Sequence, residues 1–588
     1  MHRIFTLHRP TTNGYIWVAY DSRNSVIFSH WSSFSKLMQI CQRHGLPRAA
    51  MVSSLVMVVA AVLCAGGSQL AVEASPKWIN HGGGISNDRH AVREHRISPK
   101  SVSKLQKRWT FDAGYAVSAT PAIADGSLYF PNWNGNLYAV KASNGALLWQ
   151  KNLTVLTGIS YIATLSRTTP SVTDKLLLVS ILSPAMIVAV SRSDGSLNWQ
   201  TLLDPHPFAV ITMSGTPYKG YFYVGVSSFE EVVNASECCT FQGSFHKLRI
   251  SDGRKIWKTG MLPDNGGDKA GYSGAAIWGS SPAIDEHRKL VYIATGNNYR
   301  VPDNVSSCEE EQRNRSRPII PDPCISPDNH AESMLALELG NGAIRWAAAL
   351  GGFDAFTVTC LNNPSLPNCP PNIGPDYDFG EAPMLLTIPS KALNSTATKN
   401  CDLVVAGQKS GVIWALDRTT GKIIWATVAG PGGYLGGATW GSATDGKRVY
   451  TNIANSNHLN FTLVPSNATT IAGGWVAMHA STGKVLWSTA SPDGMSPAFG
   501  PVTIANNVLF AGLNNSQGTV YAFHAKTGKV LWNASTGAAL EGGFSVANGC
   551  AFVGSGYTTT PARLVFAFCL PHENHRDRAY SDQDEEVG

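Results

Sequence analysis

Short alternating runs of apolar and polar residues recur along the chain, and the clearest is AFHAKTGKVLW at 522–532. The same eleven-residue pattern stands at 477–487 (AMHASTGKVLW), 415–425 (ALDRTTGKIIW), 336–346 (ALELGNGAIRW), 247–257 (KLRISDGRKIW), 189–199 (AVSRSDGSLNW) and 139–149 (AVKASNGALLW). Each copy is an alternating run, a polar pair ending in Gly, and a second run ending in Trp. That is a β-hairpin signature, because Asn-Gly and Asp-Gly supply the positive φ values of a tight turn. Six of the seven copies begin with Ala, which leaves room for a large ring. The Trp brings roughly 200 Å² of apolar area and one N–H that needs a backbone acceptor.

A lone hairpin cannot bury its apolar face, so a series of hairpins implies stacked units that share a core. The Trp-to-Trp steps are 50, 58, 89, 79, 62 and 45 residues, near the length of a four-stranded propeller blade where insertions are absent. Further β-rich runs at 120–129, 176–180, 221–226, 290–295, 403–406, 449–452 and 508–511 precede the hairpins and supply two inner strands for each blade. LQKRW, ending at Trp109, precedes the first copy, and apolar runs at 551–553 and 564–568 follow the last. Sharing one blade between the two ends closes the ring and removes its edges. The expectation is an all-β, eight-bladed β-propeller over 75–570; seven blades with a loose end is the alternative.

Composition sharpens this reading. The 588 residues are 44% hydrophobic, only 15% charged and include 56 Gly, which suits strands and turns better than helices. Residues 1–50 show no sustained period and read as an unstructured or mispredicted extension ahead of Met51. From Met51, an apolar run at 55–65 followed by small residues at 72 and 74 reads as a signal peptide over 51–74. An uncleaved anchor with Arg43 and Arg48 on the cytoplasmic side is the alternative. Without 1–74 the formal charge falls from +6 to +2, and no basic cluster interleaved with aromatics points to nucleic acid. The tail, 571–588, is charged and reads as disordered.

Nine Asn-X-Ser/Thr triplets, at Asn152, Asn234, Asn304, Asn314, Asn394, Asn460, Asn467, Asn514 and Asn533, agree with a secretory route. Nine cysteines follow the leader. Cys308 with Cys324, and Cys360 with Cys369, flank Pro/Asn-rich insertions; Cys550 is within reach of Cys569, and Cys401 is left over, although spacing alone leaves connectivity open. No CxxC or CxxCH occurs, so neither a thiolate zinc site nor covalent haem is expected. The expected setting is secreted, extracellular or cell wall, with no stable membrane insertion once the leader is removed.

The AxxxxTGxxxW repeat resembles the tryptophan-docking motif of the pyrroloquinoline quinone (PQQ) dehydrogenases, eight-bladed quinoprotein propellers, and most closely plant proteins similar to polyvinyl-alcohol dehydrogenase. The resemblance runs from about Trp78 to Leu570. It implies PQQ over the central channel, calcium beside it, and an Asp that takes the alcohol proton. Those roles need oxygen ligands, an aromatic floor, a cation and a base. Carried over residue by residue, Glu230 in VGVSSFEEV matches the metal-ligating Glu, with Glu231 its neighbour. Trp278 in AIWGSS matches the ring-stacking Trp and Asn297 in ATGNN the metal-ligating amide. Asp378 in DYDFGEAPM matches the catalytic base, with Asp376 its near competitor, and Lys409 in AGQKSG matches the cation near the quinone oxygens. Ser214 and Arg167 align with cofactor contacts. Two features depart from the family. The first-blade acid is replaced by Ser118 or Ala119 in VSATPAI, and the adjacent Cys238 and Cys239 fall in the third blade rather than the second.

The implied function is a secreted oxidoreductase acting on a small or polymeric alcohol or polyol, with an external electron acceptor. The rival is a non-catalytic extracellular propeller that binds a protein or a cell-wall glycan through its 301–330 and 353–378 insertions.

Overall fold

The computed structural model describes residues 77–571, apart from 162, 235, 316–321, 391–399 and 559–561. It divides into a unit over Met1–Ala74, in which only a pairing of Ala19–Tyr20 with Val26–Ile27 is described, and a unit over Ser75–Gly588. Apart from that pairing the expected extension lies outside the described residues, as do the leader, the charged tail beyond Pro571 and the triplet at Asn394. No described helix is long and apolar enough to cross a membrane.

The second unit is a ring of eight antiparallel blades, four-stranded except the third, to which Ala209–Val210 adds a short fifth strand. Blade 1 runs Ala122–Ala124, Ser127–Pro131, Asn136–Lys141 and Leu147–Asn152 from its inner to its outer strand. Blades 2 to 7 repeat that order, beginning at Ser171–Val172, Thr216–Tyr218, Ala283–Asp285, Met384–Ile388, Ala443–Thr444 and Thr503–Ala505. Blade 8 combines Ser545–Ala547, Cys550–Gly554 and Leu564–Cys569 with Gln106–Asp112 as its outer strand. The two ends of the chain share a blade, as the pattern predicts, and the seven-blade alternative does not hold.

Each repeat Trp sits opposite the first residue of its motif, as in Ala139 opposite Trp149 and Ala522 opposite Trp532, with a bulge one residue later. Its ring covers the following blade, and its indole N–H donates there. Trp149 reaches the Arg192 carbonyl at 3.0 Å, Trp425 that of Ala480 at 3.0 Å and Trp487 that of Ala525 at 3.0 Å. Trp532 donates to Leu105 and Trp109 to Ala142, so the chain of docked indoles also spans the closure.

The Gly of the motif is needed twice. Its φ is positive, 73° at Gly145 and 69° at Gly483, and a Cβ there would lie 2.8 Å and 2.6 Å from the preceding blade's indole. The turn is not the expected two-residue type: in the copies with Asn-Gly or Asp-Gly only the Gly has positive φ, and Gly145 N–H closes on the Lys141 carbonyl. The two-residue turns with positive φ at both centres join first and second strands instead, at Asp125–Gly126, Lys219–Gly220, Asn506–Asn507 and Asn548–Gly549. The run at 120–129 is therefore two strands and a turn.

Residues 78–91 form an element the periodicity did not announce. They extend across the inner strands of the ring as a strap. Trp78 pairs with Ile123 of blade 1, and the carbonyls of Ile79, Ile85, Ser86 and Asp88 accept from Val172, Ile284, Leu385 and Thr444 of blades 2, 4, 5 and 6. Asn80 donates to Thr216 of blade 3, and Ala91 N–H to Ile504 of blade 7.

Candidate active site

Trp278 lies just before the inner strand of blade 4, Asn297 just after its second strand, and Asp378 in the connection entering blade 5. Lys409 stands in the turn after Cys401–Gly407. Together with Glu231, Arg167 and Tyr299, residues Trp278, Asp378 and Lys409 line a cavity of about 190 Å³. Asp378 is held from several directions. Its Oδ1 accepts from Asn297 N–H at 2.6 Å, and its Oδ2 accepts from Trp278 Nε1 at 2.9 Å and from Lys409 Nζ at 3.4 Å. Close packing allows this: a Cβ on Gly296 would lie 2.5 Å from the Asp378 carboxylate, and one on Gly380 would lie 3.0 Å from the Trp278 ring.

Lys409 is buried, and Asp376 takes most of its charge through contacts of 2.9 Å to both carboxylate oxygens. Burial alone would pull its pKa down; the charges of Asp376, Asp378 and Glu231 instead hold it above the ordinary lysine value. Burial pushes the Glu231 carboxyl up to about 7, with Lys409 pulling the other way and the charges of Asp378 and Asp354 adding to the push. Asp354 accepts from Tyr377 N–H at 2.7 Å and so fixes the loop that carries Asp376 and Asp378.

Glu230 is a correction to the expected ligand set. Its carboxylate is turned away from the cavity, accepting from Thr240 N–H at 2.9 Å and Phe241 N–H at 2.8 Å, with His206 Nε2 at 3.3 Å. Glu230–Val232 is one turn of 3₁₀ helix, in which successive side chains diverge by about 120°. With Glu230 turned in, Glu231 faces the cavity. The side-chain amide of Asn297 donates to the Asn298 and Phe356 carbonyls at 2.7 and 2.8 Å, which leaves its oxygen as the end with electron pairs to give.

Arg167 lines this cavity and a smaller one toward the strap, where Ser214 also stands. The Arg167 guanidinium lies 5.0 Å over the Trp440 ring and donates to the Tyr557 hydroxyl at 2.7 Å. Ser214 Oγ accepts from Thr169 N–H at 2.9 Å. Trp440 packs edge-on against Trp278, with centroids 5.2 Å apart. Trp440, Asp354 and Glu541 were not singled out from the sequence. An isolated acid ahead of Gly542–Gly543 was the available signal for Glu541.

Cys238 and Cys239 are bonded to each other, are buried, and pack with Ile211, Phe241, Ala276 and Tyr299; neither lines the two cavities described above. Cys308–Cys324, Cys360–Cys369 and Cys550–Cys569 are bridged, and Cys401 is free.

The residues fit a bound dication and a planar partner. Glu231 and Asp378 put two carboxyl groups on the cavity wall, oxygen donors of the kind a hard cation takes, beside the cations Lys409 and Arg167. Half-buried Trp278 offers a ring at the cavity wall.

A family model described as "Outer membrane protein assembly factor BamB", PQQ_2, matches residues 101–348 and 409–540. A polyvinylalcohol dehydrogenase of a Pseudomonas species is 27% identical over 393 residues, covering 64% of this chain and 55% of that protein. One from a Sphingopyxis species is 27% identical over 413 residues, covering 67% and 56%. The chain thus spans little more than half the length of these relatives. Among solved structures, the quinohemoprotein alcohol dehydrogenase of Comamonas testosteroni superposes with a TM-score of 0.62 at 18% identity, covering 85% of this chain and 81% of that one. A europium-containing methanol dehydrogenase gives 0.61 at 16%, covering 85% and 99%. These structures share the eight-bladed fold.

Proposed function

The chain belongs to the PQQ_2 family, and on that premise we propose that it is a PQQ-dependent oxidoreductase that converts an alcohol or polyol to the carbonyl level and passes electrons to an external acceptor. The observation that carries this reading is the wall formed by Asp378, Lys409 and Trp278, with the carboxylate fixed by a ring N–H, a backbone N–H and a buried ammonium. The names of the Pseudomonas and Sphingopyxis relatives support an alcohol as substrate.

When bound, PQQ supplies a quinone able to accept the two electrons released from an alcohol carbon. Trp278 is the surface on which its ring would rest, and Arg167 and Lys409 are the cations at its edge. Glu231 and the side-chain oxygen of Asn297 would hold a calcium ion. Asp378 faces the cavity and takes the hydroxyl proton. Lys409 Nζ, 3.4 Å from that carboxylate, supplies a counter-charge beside it. Asp376 keeps Lys409 in place. The bridged cysteine pairs support an oxidising, secreted setting, where disulfides persist.

The test is to titrate purified full-length protein with PQQ and Ca²⁺, following quinone absorbance and dye-linked oxidation of polyols and polyvinyl alcohol. Micromolar binding with turnover is expected. Asp378→Asn should keep binding and lower turnover by about 10²- to 10⁴-fold, the usual contribution of a positioned base. Absence of PQQ binding sinks the enzyme reading in favour of the non-catalytic propeller. Full turnover in Asp378→Asn, with loss in Asp376→Asn, moves the base to Asp376.

A further inference from the structure

The smaller cavity, of about 30 Å³, is lined by residues that include His81 of the strap, Ser118, Arg167, Trp440, Glu541 and Tyr557. Arg167 and Thr212 line both cavities, so the two adjoin across these side chains. At the wall of blade 1 no acid is available: the Ser118 hydroxyl is taken up by Trp133 Nε1 at 2.8 Å, and Ala119 is buried. An acid reaches this wall from the far end of the chain instead. Glu541 lies in the connection between blades 7 and 8, and its backbone cannot retreat. A Cβ on Gly542 would lie 2.8 Å from the Ser118 carbonyl, and one on Gly543 would lie 2.1 Å from the Arg89 guanidinium. Asn514 Nδ2 donates to Glu541 Oε1 at 2.7 Å, which leaves Oε2 for the cavity.

We propose that Glu541 is a ligand-contacting residue of this site, a neutral acid that donates a hydrogen bond to a carboxylate of the anionic PQQ that Arg167 grips. The proposal rests on the functional reading above and adds a residue to it. The surroundings of Glu541 support the protonated form. Burial pushes its carboxyl up to about 7, against the opposing pulls of Arg167 and Asn514. The other groups at this cavity hold their charge state between pH 6 and 8. Burial, and then Arg89, lower His81 to about 3, and burial raises the Tyr557 phenol above its ordinary value. Glu541 is therefore the acid at this wall that changes charge in that interval. Its ionised form would repel an anionic ligand and could no longer donate.

The experiment is a PQQ titration of the full chain at saturating Ca²⁺, at pH 6 and pH 8, with the wild type, Glu541→Gln and Glu541→Ala, each first shown to be folded by its thermal transition. If only the protonated acid binds, the population that can bind shrinks about tenfold across the interval. Glu541→Gln, permanently neutral, should match the wild type at pH 6 and bind about tenfold tighter at pH 8. Glu231 lines the adjoining cavity and is untouched by the substitution, so its share cancels in the ratio of variant to wild type. The same ratio at both pH values overturns the proposal, as does wild-type affinity at pH 6 in Glu541→Ala. Absence of PQQ binding by the wild type is a different result: it overturns the functional reading and the proposal with it.

Discussion

Lys409 is an ammonium buried among acids, and its neighbours determine what its removal would do. In Lys409→Met, Asp376 and Asp378 keep their positions but lose their counter-charge, and stranding buried charge in this way costs about 3–5 kcal/mol. That loss should appear in urea unfolding at pH 7 and shrink at pH 5, where a proton can neutralise Asp376, whose carboxyl burial raises well above its ordinary value; an equal loss at both would mean that packing, not charge, is what the lysine supplies. Trp278, Asn297, Asp378 and Lys409 were named from the sequence, and the fold brings the four together. The choice between Glu230 and Glu231 was not, because it depends on which side chain the 3₁₀ turn directs at the Thr240 and Phe241 amides, and those amides come from a loop ten residues on. Glu541 was illegible for a related reason: it lines a cavity with Ser118, 423 residues earlier in the chain, and only closure of the ring brings the two together.

At the scale of the blade, the repeat announced the hairpin and its Trp, but only the ring shows what the Gly touches. The copy at 247–257 departs from the others in carrying Lys247 where they carry Ala. Lys247 Nζ donates at 2.7 Å to the Leu339 carbonyl, the acceptor that Trp257 reaches at only 3.4 Å. The lysine has taken over the docking bond, and it lies 4.0 Å from the Tyr221 ring. Replacing an indole by a phenyl ring should therefore have unequal effects around the ring. Trp487→Phe leaves the Ala525 carbonyl without its donor and should cost about 1–3 kcal/mol. Trp257→Phe leaves Leu339 satisfied and should cost distinctly less. Thermal or urea denaturation of the two variants compares them directly, and equal losses would show that ring area rather than the N–H governs docking.

For the molecule as a whole, the N-terminal segment closes the ring twice, once as the outer strand of blade 8 and once as the strap across the inner strands. The outer strand could be read from LQKRW and the need to pair an edge. The strap could not, because its bonds are mostly backbone bonds to blades spread over the entire chain and leave no periodic trace. Its side chains make the closure sensitive to pH, in a direction that can be worked out. Burial, and then Arg89, lower His81 to about 3, so its contribution is present above the ordinary histidine value and is lost as pH falls through the interval from 6.5 toward 3. Burial raises Asp88 to about 6, so its contribution runs the other way, lost as pH rises from 3.8 to about 6. The histidine has the larger displacement, so the strap should loosen on acidification below about pH 6.5. Raised acids elsewhere, Glu231 and Glu541 among them, act in the opposite sense on the whole molecule, so the share of the strap is read as a difference between variant and wild-type urea midpoints from pH 7 to 4.5. His81→Gln should gain on the wild type as pH falls, since the amide cannot be protonated, and Asp88→Asn should lose on it by removing the opposing carboxyl. If His81→Gln leaves the profile unchanged, the imidazole is not buried neutral against the Trp440 carbonyl, and the floor of the channel is not held by the strap in the way its 2.6 Å contact implies.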